Sequence, residues 1–194
     1  TVSGNSITGN TGNNAYQYGA YIQGVNGLTF DRNVITLNSN LTTSFGVYFN
    51  TSSAVTASNT WSIQRNKITN MGQYGMFFTS GWFPNASARG IIANNMIGGG
   101  FRNAASYGLY FSNMGAFWNI YHNSINIDFA ATSTSACIYV STSSYANSAN
   151  NMIIANNILA VSNSASTAYC YYFLNGFYYS VANAASGMDN NTLY

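Results

Sequence analysis

An asparagine followed two residues later by Ile or Leu returns seven times along the chain, at Asn5, Asn33, Asn66, Asn95, Asn123, Asn157 and Asn191. The intervals are 28, 33, 29, 28, 34 and 34 residues, on average about 31. No other feature constrains the fold as tightly, because a unit this short cannot bury its own apolar face and must stack on its neighbours. Each period carries three short segments. Ahead of the anchor runs an alternating apolar pair: Leu28/Phe30, Trp61/Ile63, Gly90/Ile92, Trp118/Ile120, Met152/Ile154 and Ser186/Met188. The anchor opens the second segment. The third reads Tyr18 to Ile22, Phe45 to Phe49, Tyr74 to Phe78, Tyr107 to Phe111, Ala136 to Val140 and Tyr169 to Phe173, mostly with Gly in second place. Alternation with period two and no helical period predicts stacked coils of strands, since a sandwich would not return one three-strand pattern at fixed spacing.

The pattern resembles the right-handed parallel β-helix of the pectate-lyase-like superfamily, a single-stranded solenoid, and the resemblance runs from Val2 to Tyr194. It implies an all-β domain over residues 1–194, with about six coils of roughly 31 residues and three short strands in each. In character it is similar to repeat segments of large secreted or cell-surface bacterial proteins. The chain begins and ends within a repeat and has no amphipathic helix or polar unit to cover its last rung. Solenoid ends need covering, so the expected partners include flanking coils or capping domains of a longer chain.

The asparagine column is read as a structural ladder. A bend between strands needs a residue that tolerates left-handed backbone, which Asn does. Its amide donates and accepts, so stacked copies can bond from coil to coil. The expectation is therefore that the anchors themselves take the left-handed conformation.

Composition narrows the function. Of 194 residues only 4% are charged, five basic and three acidic, for a net charge of +2. No Lys/Arg cluster of the kind that grips phosphate is present, which argues against nucleic acid as a partner. No run of 18 apolar residues occurs, so no membrane span is expected.

Alternation in the third segment turns Ala20/Ile22 and their counterparts inward and the residue between them outward. The outward column reads Tyr21, Tyr48, Phe77, Tyr110, Tyr139 and Tyr172. At ~4.8 Å per rung these six form a stripe roughly 24 Å long. Aromatic neighbours stabilise adjacent strands, and such a stripe can also carry sugar rings while Asn, Ser and Thr bond their hydroxyls. Variable connections after this segment, at 51–60, 80–89, 142–151 and 175–187, add aromatics that no strand pattern demands: Trp82-Phe83-Pro84 and Phe177-Tyr178-Tyr179. Trp82 and Phe83 join the candidate glycan-binding residues. Sequons at Asn40, Asn50, Asn85 and Asn190 arise readily by chance in such a composition. A Thr column at Thr8, Thr36 and Thr69 stops after three rungs.

Catalysis by an acid pair needs two carboxylates roughly 5 to 9.5 Å apart. Asp31, Asp128 and Asp189 are the chain's acidic side chains, and the repeat separates each pair by at least two rungs. The expectation is no catalytic residue, no metal and no cofactor. Were the chain a lyase, Lys67, Arg65, Arg32 and Asp31 would form its site, with Asp31 screening the two arginines as the competing reading. His122 falls in the column of Arg32, beside Asn94 and Asn156, as a bend residue. Cys137 and Cys170 occupy one column on adjacent coils, close enough for a disulfide or for two stacked thiols. The function expected is a non-catalytic stalk or adhesin segment, extracellular or on the cell surface, contacting polysaccharide through the aromatic stripe. Alternatives are a polysaccharide lyase or glycoside hydrolase, and a phage or secretion-system fibre.

Overall fold

Period-two alternation becomes three stacks of parallel strands in a computed structural model. It describes residues 1–9, 17–25, 27–38, 41–50, 60–79, 87–112, 117–129, 132–141, 152–162, 167–174 and 187–194. The first sheet stacks Val2–Ser3, Leu28–Asp31, Trp61–Gln64, Gly90–Ala93, Trp118–Tyr121, Ile153–Ala155 and Gly187–Asp189. The second stacks Ser6–Thr8, Val34–Thr36, Lys67–Thr69, Met96–Gly98, Ser124–Ile127, Ile158–Val161 and Thr192–Leu193. The third stacks Tyr18–Gln23, Phe45–Asn50, Tyr74–Thr79, Tyr107–Ser112, Ser135–Ser141 and Ala168–Leu174. Every pairing is parallel, and registers such as Ile97↔Ile125 and Tyr110↔Tyr139 join each strand to its copy one repeat away. The chain is thus an all-β parallel solenoid with three strands per coil.

The solenoid amounts to about 4 turns of ~29 residues, rather than the six of about 31 expected. The four ladder steps from Asn5 to Asn123 span 28, 33, 29 and 28 residues. The last two steps lengthen to 34, and long connections outside the described residues raised the sequence average.

The asparagine ladder forms, but the left-handed backbone belongs to the residue before each anchor. Arg32, Arg65, Asn94, His122, Asn156 and Asn190 have φ between 49° and 57°, and Gly4 has 69°. This corrects the expectation for the anchors: the bend is made one residue early, which turns each anchor side chain into the interior. There the backbone N–H and Nδ2 of one Asn both donate to Oδ1 of the next, as Asn66 does to Asn95 at 3.0 and 2.9 Å. The second Nδ2 proton reaches back to a strand carbonyl, as from Asn95 to Ile63 at 3.0 Å. Asn33, Asn66, Asn95, Asn123 and Asn157 are buried, and this pattern is why burying them is tolerable.

The first-segment pairs from Leu28/Phe30 to Met152/Ile154 lie inward and build the core, together with the column Ile35, Ile68, Ile97, Ile125 and Leu159, whereas Ser186 lies outside the described residues. Gly90 stands where a Cβ would lie 2.5 Å from the Trp118 ring, so its missing side chain is what admits that indole. The glycines of the third segment are tighter. A Cβ on Gly75 would sit 2.4 Å from Ile97 Cγ2 and 2.5 Å from the Gly108 carbonyl oxygen, and Gly19, Gly46 and Gly108 repeat the arrangement. These glycines turn inward beside an inward neighbour, so strict alternation breaks there, which decides what the outer face of the third sheet presents.

Candidate functional site

With Gly75 and Met76 both inward, Tyr74 and Phe77 come to share the outer face. The third sheet therefore carries two aromatic columns where the sequence suggested one. The expected column is present as a stack: Tyr21, Tyr48, Phe77, Tyr110, Tyr139 and Tyr172 have successive ring centroids 5.1, 5.0, 4.9, 4.7 and 5.1 Å apart. Their planes differ by 8° to 15°. Beside it stand Tyr18, Phe45, Tyr74 and Tyr107, stacked at 5.2, 4.6 and 5.4 Å. The columns meet edge to face, at 4.9 Å for both Tyr74–Phe77 and Tyr107–Tyr110. Both geometries are ones aromatic quadrupoles favour. The second column was legible in principle, since an aromatic precedes the Gly in each of the first four third segments.

Stacking changes what the stripe can do. Each interior ring has a neighbour over both faces, so a sugar cannot lie flat on it; edges and hydroxyls are what remain. Exposure follows position: Tyr21 is 46% exposed and Tyr139 only 9%. The Tyr21 hydroxyl is tied to the following coil, where Asn50 Nδ2 donates to Tyr21 Oη at 3.1 Å, and Thr79 and Ser141 of the following coils partly offset the effect of burial on the Tyr48 and Tyr110 phenols. Burial pushes the Tyr74 phenol up to about 12 and also raises Tyr48, Tyr107, Tyr110 and Tyr139. The shift takes these five phenols further from ionisation than their ordinary value of about 10 already does, and the face is aromatic and uncharged.

A second cluster brings together residues suggested for lyase chemistry. Asp31 closes a first-sheet strand, with its side chain only 6% exposed. Arg65 donates from Nε to Oδ1 at 2.8 Å and from a terminal nitrogen to Oδ2 at 2.9 Å; Arg32 Nε donates to Oδ2 at 2.8 Å. The Arg65 hydrogen bond is the main reason the Asp31 carboxyl lies below its ordinary range; burial opposes it and Arg32 assists. Both guanidiniums are more than half exposed. Lys67 is exposed on the second sheet, in register with Val34 and Met96.

The other candidates fall apart in space. Asp128 Oδ2 accepts from the Gly100 N–H at 3.0 Å. His122 makes the expected bend and meets the Tyr121 ring edge-on at 5.5 Å. Thr36 and Thr69 hydroxyls bond each other at 3.1 Å. Among the described residues no group of three or more His, Cys, Asp or Glu is placed to hold a metal ion. Cys137 and Cys170 are both thiols. Trp82, Phe83, Asn85 and the Phe177–Tyr179 run lie outside the described residues. Sequence reasoning did not find Arg89, whose Nε donates to Asn119 Oδ1 at 2.7 Å and whose guanidinium lies 5.8 Å from the Phe117 ring centroid.

The chain matches no protein-family model, no curated protein and no solved structure.

Proposed function

We propose that the chain is a non-catalytic, right-handed β-helical segment of a secreted or cell-surface protein, of stalk or adhesin type, which binds polysaccharide along the outer face of the third sheet. The right hand is the one that twisted parallel strands prefer in crossover connections. The observation that carries the reading is the continuous uncharged ladder from Tyr21 to Tyr172, flanked by Asn50, Thr79 and Ser141. It presents aromatic edges at ~5 Å intervals, with a hydroxyl on every ring of the column but Phe77. A repeated row of donors and acceptors suits a neutral polymer with its own repeated hydroxyls. Sugar faces would stack only on the end rings, and the remaining contacts would be hydrogen bonds.

The lyase alternative is the weaker one, because both oxygens of Asp31 already accept from guanidinium groups. A glycan array followed by titration calorimetry tests the proposal. Tyr110→Phe and Tyr139→Phe should weaken binding several-fold while keeping the stack, and Tyr110→Ala should abolish it. Unchanged binding in all three, or release of unsaturated uronides that Arg65→Ala or Lys67→Ala abolishes, would overturn it.

A further inference from the structure

The third-segment column of Gly19, Gly46, Gly75 and Gly108 ends in Cys137 and Cys170. This exchange is paired with another. The residue met by a Cβ at each glycine is the isoleucine of the following coil: Ile35, Ile68, Ile97 and Ile125, always through Cγ2, at 2.3 to 2.5 Å. The same second-sheet column continues as Leu159 and Leu193. Leucine has no methyl on Cβ. Where the glycine becomes cysteine, the branch that would strike its side chain is gone, at both positions.

The two thiols occupy the vacated seam in the same manner. Cys137 Sγ contacts the Ile125 and Ala160 carbonyl oxygens at 3.7 and 3.3 Å; Cys170 Sγ contacts those of Leu159 and Tyr194 at 3.5 and 3.7 Å. Each bridges its own rung and the next. The strands are parallel and in register on both sides of the pair, Ala136↔Tyr169 and Ile138↔Tyr171. That places the two Cα atoms ~4.8 Å apart, inside the range a disulfide accepts.

We infer that Cys137 and Cys170 are a thiol–disulfide exchange pair, with partly exposed Cys170 as the attacking thiol and buried Cys137 as the resolving one, and that the product is a staple between adjacent coils. The Cys170 thiolate attacks a sulfur of a small disulfide such as oxidised glutathione, forming a mixed disulfide and expelling one glutathione thiolate. Cys137 then gives up its proton and attacks Cys170 Sγ, expelling the second. Two protein thiols and one glutathione disulfide become one protein disulfide and two glutathione molecules, and a dithiol reverses it. The electrostatics agree with this order. The neighbouring Cys137 thiol brings Cys170 down to about 7, whereas burial holds Cys137 well above its ordinary value. A thiol that ionises near neutrality is the better attacking group.

The test uses the whole chain, reduced, desalted and exposed to oxidised glutathione, with intact mass read over time. The expected product has lost two hydrogens and carries no adduct, and its unfolding in urea is about tenfold slower or more until dithiothreitol is added. Cys137→Ser should accumulate one glutathione on Cys170, and Cys170→Ser should remain unmodified. If serine disturbs folding, timed alkylation of the wild type gives the same order, with Cys170 labelled before Cys137. A persistent adduct on the wild type, intermolecular dimers alone, or equal labelling of both cysteines would overturn the inference. None of these outcomes depends on glycan binding.

Discussion

Replacing Asn95 by alanine should cost far more than the same change at Asn5, and the ladder geometry says why. Asn95 Oδ1 accepts from the backbone N–H and the Nδ2 of Asn66, and Asn95 Nδ2 donates to Asn123 Oδ1 and to the Ile63 carbonyl. In Asn95→Ala all four bonds go. The two Asn66 donors are left facing a methyl group in a buried bend. An orphaned buried donor costs ~1–3 kcal/mol, so the pair costs about 4 kcal/mol before any relaxation. Asn5, at the exposed first rung, donates to Asn33 Oδ1 through both N–H and Nδ2, and no earlier anchor stands beneath it to donate to its own Oδ1. Its replacement forfeits one exposed side-chain bond, worth less than about 1 kcal/mol. Because solenoid stability is a sum over neighbouring repeats, the larger loss should also be local. Urea unfolding would measure the totals. Amide exchange would show faster opening at Asn66 and Asn95 in Asn95→Ala, with distant rungs little changed. Equal losses at the two positions, or uniform loss of protection, would refute the reasoning.

Gly108→Cys should destabilise by about 3 kcal/mol, because its Cβ lands 2.3 Å from Ile125 Cγ2, and adding Ile125→Leu should restore roughly half; a double-mutant cycle with no coupling would deny that the two columns are fitted to each other. Asp31 makes stability depend on acid. The Arg65 hydrogen bond, aided by Arg32, depresses its folded pKa, so its contribution is complete above the unfolded value of ~3.9 and is lost as pH falls through the lower folded value. Asp31→Asn should therefore flatten the stability profile below about pH 4 while lowering the neutral plateau, and an unaltered acid limb would count against the buried pair.

Much of the stacking was legible because a solenoid copies one local rule many times. The anchor spacing located the second-sheet strands, and the alternating pairs around Phe30, Ile63, Ile92 and Ile120 located the first-sheet core. What escaped depends on single rungs or on three dimensions. Arg32 and Arg65 are not turn formers by type, so the bend was assigned to the asparagines one position later. Tyr74 and its counterparts were missed as surface residues because a period-two reading does not foresee two consecutive inward residues at Gly75 and Met76. The outward column was found, but its rings cover each other, and residue order alone does not reveal that a platform has no free faces.

The asparagine ladder also gives the stack a chemical direction. In every link from Asn5 to Asn191 the side-chain oxygen accepts from the earlier coil, so the amide carbonyl dipoles point the same way and add. The negative pole faces the first rung, where Asn5 has an oxygen to offer, and the positive pole faces the last, where Asn191 has an N–H. A coil joined beyond Asn191 continues the series only by presenting an acceptor, and one joined before Asn5 only by presenting donors. Two such stacks set head to head would oppose like poles, so the axis distinguishes its two ends electrostatically even though the chain has almost no charge.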